Sequence, residues 1–531
     1  MPAFVTLHQL SHSTPDNQPL FSALDLSFGN ERTGLIGRNG TGKSTLLRII
    51  AGQLQPAAGS VSVQGTLGML EQVVQVAPDA TVADRLGVTE ALARLDRLEQ
   101  GLGDMDDAAE ADWTLPGRIE ATLADVGLPA YAPDRPLSTL SGGQRTRLAL
   151  ARLILAEPDI ILLDEPTNNL DADGRRAVVE LLHSWRGAAI VVSHDRALLR
   201  EMDAIVDLTT LGATTYGGNW DHYVERKALE LAAAEHELTT AERKVAEIDR
   251  KIQAVAEKKA RKDSAGRRKA ARGDIPRIML GGMKENSENT SGGNARLANR
   301  LRTDAADAAS EARTKMEVLT PLSVTLTPTG LPAGRTVLQA DGLTGGPEGV
   351  DPIIRDFSLN MTGPERVAIT GPNGSGKTTL LRLLTGALPA LSGTARILVS
   401  HAMLDQTVGL LDPALSIRDN FRALNPDADE RTCRAALARF MFRADAALQQ
   451  AGTLSGGEML RAGLACTIGG NHPPQLLILD EPTNHLDIHA IEQVETGLRG
   501  YDGALLVVSH DADFLEAIGI SRTIALLMNA S

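Results

Sequence analysis

The sequence repeats one stretch of eight residues, Gly37-Arg38-Asn39-Gly40-Thr41-Gly42-Lys43-Ser44, as Gly371-Pro372-Asn373-Gly374-Ser375-Gly376-Lys377-Thr378. Each copy follows a short apolar run and precedes a Leu-rich stretch, so strand, glycine loop and helix are predicted in that order. Consecutive backbone N–H groups of such a loop can surround phosphate groups. The stretch therefore predicts an α/β domain built around a phosphate-binding loop, present twice.

Three further motifs are duplicated in the same order. Residues 140–144, 164–171 and 193–195 recur as residues 454–458, 480–487 and 509–511. Four motifs repeated in one order indicate a duplicated domain rather than chance.

The glycine loops are predicted to bind the phosphates and the metal of a nucleoside triphosphate. The lysine of this pattern reaches the β- and γ-phosphates, and the hydroxyl after it binds Mg²⁺. The residues assigned to phosphate binding are Gly37, Asn39, Gly40, Gly42, Lys43, Ser44 and Thr45, with Gly371, Asn373, Gly374, Gly376, Lys377, Thr378 and Thr379 in the second copy. The predicted metal ligands are Ser44, Asp164, Thr378 and Asp480.

Two glutamates and two histidines are candidate catalytic residues. Glu165 and Glu481 each follow an apolar run and an aspartate, where a carboxylate can polarise the attacking water. His194 and His510 lie 29 residues beyond these glutamates, each at the end of an apolar run. A lone histidine there would more often be structural, but the exact duplication favours contact with the γ-phosphate.

A second anion site is predicted in each copy. A serine and two glycines open a helix, and the amides of a helix N-terminus attract anions. These residues are Ser141, Gly142 and Gly143, and Ser455, Gly456 and Gly457. One nucleotide needs only one phosphate loop, so each copy is expected to cover the nucleotide that the other holds.

The duplicated domains are predicted at residues 1–222 and 321–531, with a helical linker at 223–320. Residues 221–263 contain no Gly or Pro, which predicts a long helix that ends before Gly266. A second helical stretch at 294–319 would complete a hairpin. The first domain has 68 residues between Gln72 and Ser141, against 48 in the second, enough for one more helical hairpin.

The linker carries a charge opposite to that of the whole chain. Residues 250–300 hold fourteen Lys/Arg and five Asp/Glu, whereas the chain has a net charge of −14. A solvated helix face is the ordinary interpretation of such a run. Together with the apolar cluster at 278–283, however, it favours contact with structured RNA.

The motifs resemble those of the ABC-F family of ATP-binding cassette proteins, with Gln72 and Gln406 at the Q-loop positions. Residues 216–220 (Tyr-Gly-Gly-Asn-Trp) and Glu458 also fit this family. The resemblance implies two tandem P-loop ATP-binding cassettes that close on each other within a monomer. It also implies a cytoplasmic ATPase that uses ATP and Mg²⁺ and binds ribosomal RNA and P-site tRNA through its linker.

Several alternatives stay open at this stage. An ATPase subunit of a separate membrane transporter and a coiled-coil DNA-maintenance ATPase share the cassette motifs. Within the resemblance, antibiotic resistance and a general translation role are not distinguished.

The aromatic residue that usually stacks on adenine is missing: the first copy offers His12, and the second has Gly345-Gly346-Pro347. Two cysteines exclude a disulfide framework.

Overall fold

The computed structural model separates the chain into two compact units. One comprises Met1–His222 with Leu322–Ser531, and the other comprises Tyr223–Pro321. The structure describes residues 4–14, 18–70, 79–168, 170–209, 212–271, 300, 302–303, 307, 310, 326–347, 349, 351–484 and 486–527. Gln72, the apolar cluster at 278–283 and most of the expected second helical stretch lie outside these residues.

The first cassette contains two sheets. Three antiparallel strands lie in the order β2-β1-β4, and six strands lie in the order β5-β6-β7-β3-β8-β9, parallel except for β9. The strands are Val5–Ser13 (β1), Pro19–Phe28 (β2), Arg32–Ile36 (β3), Ala58–Val63 (β4), Leu67–Leu70 (β5), Ile160–Asp164 (β6), Ala188–Val192 (β7), Ala204–Thr209 (β8) and Gly212–Gly217 (β9).

The second cassette repeats this plan. Its antiparallel sheet has the order β11-β10-β13, and its parallel sheet has the order β14-β15-β16-β12-β17. The strands are Thr336–Gly345 (β10), Ile354–Thr362 (β11), Arg366–Thr370 (β12), Ser392–Ile397 (β13), His401–Leu404 (β14), Leu476–Asp480 (β15), Ala504–Val508 (β16) and Arg522–Ala525 (β17).

Helices surround both parallel sheets. Those of the first cassette are Lys43–Ile50 (α1), Val82–Leu86 (α2), Thr89–Glu99 (α3), Met105–Ala109 (α4), Leu115–Asp125 (α5), Gly142–Ala156 (α6), Ala172–Ser184 (α7) and Arg196–Leu199 (α8). After Trp220–Ala271 (α9), the second cassette has Lys377–Thr385 (α10), Ile417–Leu424 (α11), Glu430–Arg439 (α12), Gly456–Ile468 (α13), Ile488–Arg499 (α14) and Ala512–Ala517 (α15). The short α3 and α4 occupy the longer segment of the first cassette.

The central strands are buried because their sequences are apolar on both faces. Every residue of β6, β7, β15 and β16 is buried. Strands covered by helices on both faces are expected to be continuous apolar runs rather than alternating ones. The first polar side chains after these strands therefore all emerge at the carboxyl edge of the sheet, where ligands bind in open α/β sheets.

The linker unit contains the long helix α9. The expected end before Gly266 is wrong, because α9 continues through this glycine to Ala271. A single glycine costs a helix only about 1 kcal/mol relative to alanine, which is too little to end it among good helix formers. Arg302 lies 2.9 Å from Asp249, so the described part of the second helical stretch contacts α9.

Candidate functional site

Both glycine loops have the backbone conformation that the motif requires. Gly42 and Gly376 cap α1 and α10 with φ values of 92° and 88°, in the left-handed region. A Cβ atom on Gly37 would lie 2.3 Å from the carbonyl oxygen of Leu208. Glycine is therefore needed for the turn and for the close approach of the loop to the neighbouring strand.

The two loop lysines fold back over their own loops. The Nζ of Lys43 donates to the carbonyl oxygen of Gly37 at 2.7 Å, and the Nζ of Lys377 donates to that of Gly371 at 2.9 Å. Burial lowers the pKa of both ammonium groups, although nearby carboxylates act in the opposite direction. The loop thus holds a buried cation at the place where phosphate charge would accumulate.

Strand register brings the predicted acids and histidines together. Asp164 pairs with Val192, and Asp480 pairs with Val508, in parallel ladders. Each histidine follows the end of its strand by two residues, and each glutamate follows its aspartate directly. In each cassette the glutamate and the histidine therefore lie side by side at the carboxyl edge of the sheet.

Each glutamate contacts the histidine of its own cassette. The Oε1 atom of Glu165 lies 3.2 Å from the Nε2 atom of His194, and that of Glu481 lies 3.4 Å from the Nε2 atom of His510. Both glutamates also have positive φ values, 50° and 49°. Non-glycine residues adopt this conformation at a cost of about 1–3 kcal/mol, and they do so most often at functional sites.

Burial changes the protonation of these four groups. It raises the pKa of Glu165 to about 8 and that of Glu481 to about 7. It lowers the pKa of His194 to about 3 and that of His510 to about 4, with the loop lysines acting in the same direction. Both imidazoles are therefore neutral at pH 7, and each can donate one hydrogen bond and accept another.

The predicted metal ligands suit a magnesium ion. Both carboxylate oxygens of Asp480 are buried and accept no hydrogen bond of normal geometry from any residue that the structure describes. Burial raises the pKa of this carboxyl group, although the Thr378 hydroxyl acts against it. A buried carboxylate beside a hydroxyl fits Mg²⁺, which binds through one or two carboxylates together with phosphate oxygens and water. Ser44 and Asp164 line the corresponding cavity of the first cassette.

A cavity lies over each glycine loop, of 470 Å³ in the first cassette and 340 Å³ in the second. The first is lined by the assigned residues Asn39, Gly40, Gly42, Lys43, Ser44, Thr45, Asp164, Glu165 and His194. The second is lined by Asn373, Gly374, Gly376, Lys377, Thr378, Thr379, Gln406, Glu481 and His510. Gly37, Gly371 and Asp480 are not part of these walls, nor are the Ser-Gly-Gly residues of either copy.

The Ser-Gly-Gly residues instead begin helices α6 and α13. Ser141 and Gln144 form a capping box, in which the serine N–H donates to the glutamine Oε1 at 2.9 Å. Ser455 and Glu458 form the same box in the second cassette, where the Ser455 hydroxyl donates to the glutamate at 2.7 Å. Both serine side chains are thus engaged within their own helices, and their role as a second anion site stays a prediction.

Each cassette contacts the glycine loop of the other through an aspartate. Asp487 accepts a hydrogen bond of 2.7 Å from the backbone N–H of Asn39. Asp171 occupies the matching position in the first cassette. Burial raises the pKa of Asp171, but hydrogen bonds from backbone N–H groups, including that of Asn373, and the charge of Arg147 together hold it below its usual value. The two sites are therefore reciprocal. Asp171 and Asp487 were not among the predicted site residues, although each ends a duplicated segment, 164–171 or 480–487, and this repetition could have identified them.

Two ion pairs also join the cassettes away from the glycine loops. Arg196 lies 2.6 Å from Glu495, with side chains only 10% and 5% exposed. Arg200 lies 2.8 Å from Asp513 in a more open position. No repeated motif contains these residues, so neither pair could be predicted from the sequence.

The apolar walls available to a nucleotide base are aliphatic. Leu20 and Thr14 line the first cavity, and Ile353 lines the second. Leu20 and Ile353 pack on the glycine before each loop lysine, so closely that a Cβ on Gly376 would lie 2.6 Å from Ile353. His12, the aromatic candidate, is half-buried near Phe21 and does not line the cavity.

We expect the two sites to bind ATP and GTP with affinities that differ by less than about tenfold, because aliphatic walls discriminate weakly between bases. Competition of each nucleotide against a fluorescent ATP analogue measures this. Ile353→Tyr should strengthen binding of both nucleotides about fivefold or more, since stacking contributes about 1–3 kcal/mol per base. A preference of the unmodified chain for ATP above about a hundredfold would contradict the expectation.

Two phosphate loops, each reached by an aspartate from the opposite domain, define an ATP-binding cassette protein. The family model for the ABC transporter matches residues 23–168 and 354–484, the regions that hold both glycine loops and both Asp-Glu pairs.

Relatives narrow this class further. The tylosin resistance ATP-binding protein TlrC of Streptomyces fradiae is 34% identical over 538 residues, covering 93% of this chain and 92% of the relative. The energy-dependent translational throttle protein EttA of Escherichia coli K12 is 31% identical, covering 97% of this chain and 90% of the relative. The chain belongs to the ABC-F family of ATP-binding cassette ATPases.

A solved structure shares the arrangement of the fold. The archaeal ribosome recycling factor aABCE1, in complex with the ribosomal stalk protein aP1, aligns with a TM-score of 0.55 and 18% identity. The alignment covers 97% of this chain and 87% of that structure. Among the helices that the structure describes here, none is long and apolar enough to span a membrane.

Proposed function

We propose that this ATPase binds the ribosome while its cassettes are closed on ATP and leaves after hydrolysis. The observation that carries the proposal is the reciprocal contact of Asp487 and Asp171 with the opposite glycine loops. Because each nucleotide site is completed by the other cassette, nucleotide binding and closure are coupled. Closure can then determine whether the protein is in the conformation that binds the ribosome.

The chemistry follows from the residues around each cavity. In their ionised form, which becomes populated as the pH rises through their raised pKa values, Glu165 and Glu481 accept the proton of the attacking water. The neutral His194 and His510 lie beside these glutamates and orient the water by hydrogen bonds. When bound, Mg²⁺ would be held by Ser44 and Asp164 in one site and by Thr378 and Asp480 in the other. There it would neutralise charge on the phosphate oxygens.

The ribosomal target is supported by the relatives and by charge. The name of EttA describes a translational throttle, and the identity extends over nearly the whole of both chains. Residues 250–300 carry fourteen Lys/Arg against five Asp/Glu on an otherwise acidic chain. A basic segment of this kind suits a phosphate backbone, and we propose that it contacts ribosomal RNA and P-site tRNA in the cytoplasm.

The chain is expected to sediment with purified ribosomes in a non-hydrolysable ATP analogue and to stay in the supernatant in ADP. If the linker neutralises about six to eight phosphates, raising salt from 50 to 200 mM should lower the affinity by about 10³ or more. A Lys43→Ala and Lys377→Ala double variant serves as the control that cannot close on nucleotide. Equal sedimentation in both nucleotides, or none in either, would refute the coupling.

The names of the relatives favour two cellular roles, and one experiment separates them. A purified translation system is assayed with and without tylosin, and with and without the chain. Recovery of synthesis only in the presence of tylosin indicates a resistance role like that in the name of TlrC. A nucleotide-dependent change of synthesis without the drug indicates a general translation role like that in the name of EttA.

A further inference from the structure

Arg175 of the first cassette lies at the nucleotide site of the second. It belongs to the first turn of α7, four residues after Asp171. Its side chain lines the second cavity together with Lys377, Glu481 and His510. Its positive charge reaches both catalytic groups: burial and Lys377 have larger effects, but Arg175 also lowers the pKa of Glu481 and of His510.

The guanidinium group is held in place by its own cassette. Its Nη1 donates to Asp195 at 2.9 Å, and its Nε donates to the carbonyl oxygen of Leu170 at 3.4 Å. Its Nη2 donates to no residue that the structure describes, and the side chain remains 25% exposed. A guanidinium group whose position is fixed by two hydrogen bonds, and whose third nitrogen is still available as a donor, can bind an additional anion.

The anchor connects this arginine to the other nucleotide site. Asp195 directly follows His194, whose ring contacts Glu165 in the first cavity. Asp195 also caps helix α8 through the N–H groups of Ala197 and Leu198, so its position is fixed by the loop that carries His194. A change at the first site that moves this loop would move Arg175.

Among the residues that the structure describes, the first site has no arginine at the equivalent position, and there the charge of His489 from the opposite cassette acts on His194. The residue four positions after Asp487 is Ile491, which is buried in the core of the second cassette. No arginine lines the first cavity among the described residues, and the opposite cassette contributes Leu486 to its wall. The opposite cassette therefore presents a permanently charged arginine to the second site and a histidine to the first.

We propose that Arg175 is a catalytic residue of the second site only, supplied by the first cassette to the γ-phosphate of the nucleotide bound there. The proposal rests on the assignment of these cavities as sites of ATP hydrolysis. Charge on the phosphoryl oxygens in the transition state is stabilised by a cation that the approaching cassette provides. Hydrolysis at the second site then requires closure and responds to the first site through Asp195.

Single-turnover hydrolysis of bound radiolabelled ATP tests this with one site active at a time. The Glu165→Gln background reports on the second site, and the Glu481→Gln background reports on the first. Arg175→Gln keeps a donor for Asp195 but removes the charge. We expect it to slow hydrolysis at the second site by about tenfold or more, as loss of other preorganised donors does. The rate of hydrolysis at the first site should change by less than about twofold, since Arg175 does not line that cavity.

Two further variants make the result specific. Arg175→Lys restores the charge and should recover most of the rate at the second site. Arg176→Gln is the matched control, because Arg176 is the next residue on α7, is exposed, and pairs with Asp173 at 2.6 Å. Equal slowing of both sites, or of neither, by Arg175→Gln would overturn the proposal. Undiminished hydrolysis in the Glu165→Gln, Glu481→Gln double variant would instead overturn the assignment of the hydrolytic glutamates.

Discussion

Replacing Glu165 and Glu481 together with glutamine is expected to slow ATP turnover by at least about a hundredfold, the usual contribution of a general base. Glutamine preserves the size of each side chain and its contact with the adjacent histidine, but it cannot take up the proton of the attacking water. ATP binding should remain within about threefold, since the phosphate loops and their lysines are unchanged. Phosphate release and equilibrium binding of labelled ATP measure the two quantities.

The same double variant should accumulate on ribosomes in ATP, because closure occurs and release does not. Glu157→Gln provides a matched control: Glu157 also has a positive φ, of 45°, but its side chain is 78% exposed. This control should turn over ATP and leave ribosomes like the unmodified chain. Sedimentation of the double variant free of ribosomes in ATP would rule out the ribosomal target, even if its turnover were abolished.

The second large effect is expected at the buried ion pair between the cassettes. Arg196→Met leaves the buried Glu495 with only the more exposed Arg499, 3.9 Å away, and Glu492 and Asp511 lie close enough to add like charge. Loss of one partner of a buried pair costs about 3–5 kcal/mol. We therefore expect closure in ATP to weaken by at least about a hundredfold, since 1.4 kcal/mol corresponds to about tenfold. Energy transfer between dyes placed on the two cassettes measures the closed fraction.

Two further variants show whether the weaker closure of Arg196→Met comes from the buried ion pair or from the loss of any arginine at this interface. Replacing both partners, Arg196→Met with Glu495→Met, should recover part of the loss, because no buried charge then remains unpaired. Arg200→Met removes the other arginine at this interface, whose pair with Asp513 is more exposed, and should cost about 1 kcal/mol or less. Equal losses for Arg196→Met and Arg200→Met would show that burial of the pair is unimportant.

The duplicated motifs allowed much of each cassette to be predicted from sequence. A glycine loop after an apolar strand, and an acid at the end of another, determine positions within a parallel sheet because strand ends meet at one edge. Glu165 and His194 could therefore be placed together although 29 residues separate them. The family resemblance was confirmed by relatives that align over nearly the whole chain.

The contacts between the cassettes were the part that sequence could not provide. Arg196 and Glu495 lie 299 positions apart and belong to no repeated motif. Ile491 occupies the position in the second copy that Arg175 occupies in the first. Because only motifs shared by both copies were considered as site residues, Arg175 could not be found in this way. The end of α9 was also misjudged, because the cost of Gly266 is small beside the helix propensity of its neighbours.

The left-handed backbone at Glu165 and Glu481 has a consequence for evolution and engineering. At both positions the residue that we propose for hydrolysis is not the residue that the backbone prefers, since glycine would relieve the strain. Selection for thermal stability alone would favour inactive variants at these two positions. Any heat-resistant form of this protein must therefore gain its stability elsewhere, and these glutamates must be held fixed during its design.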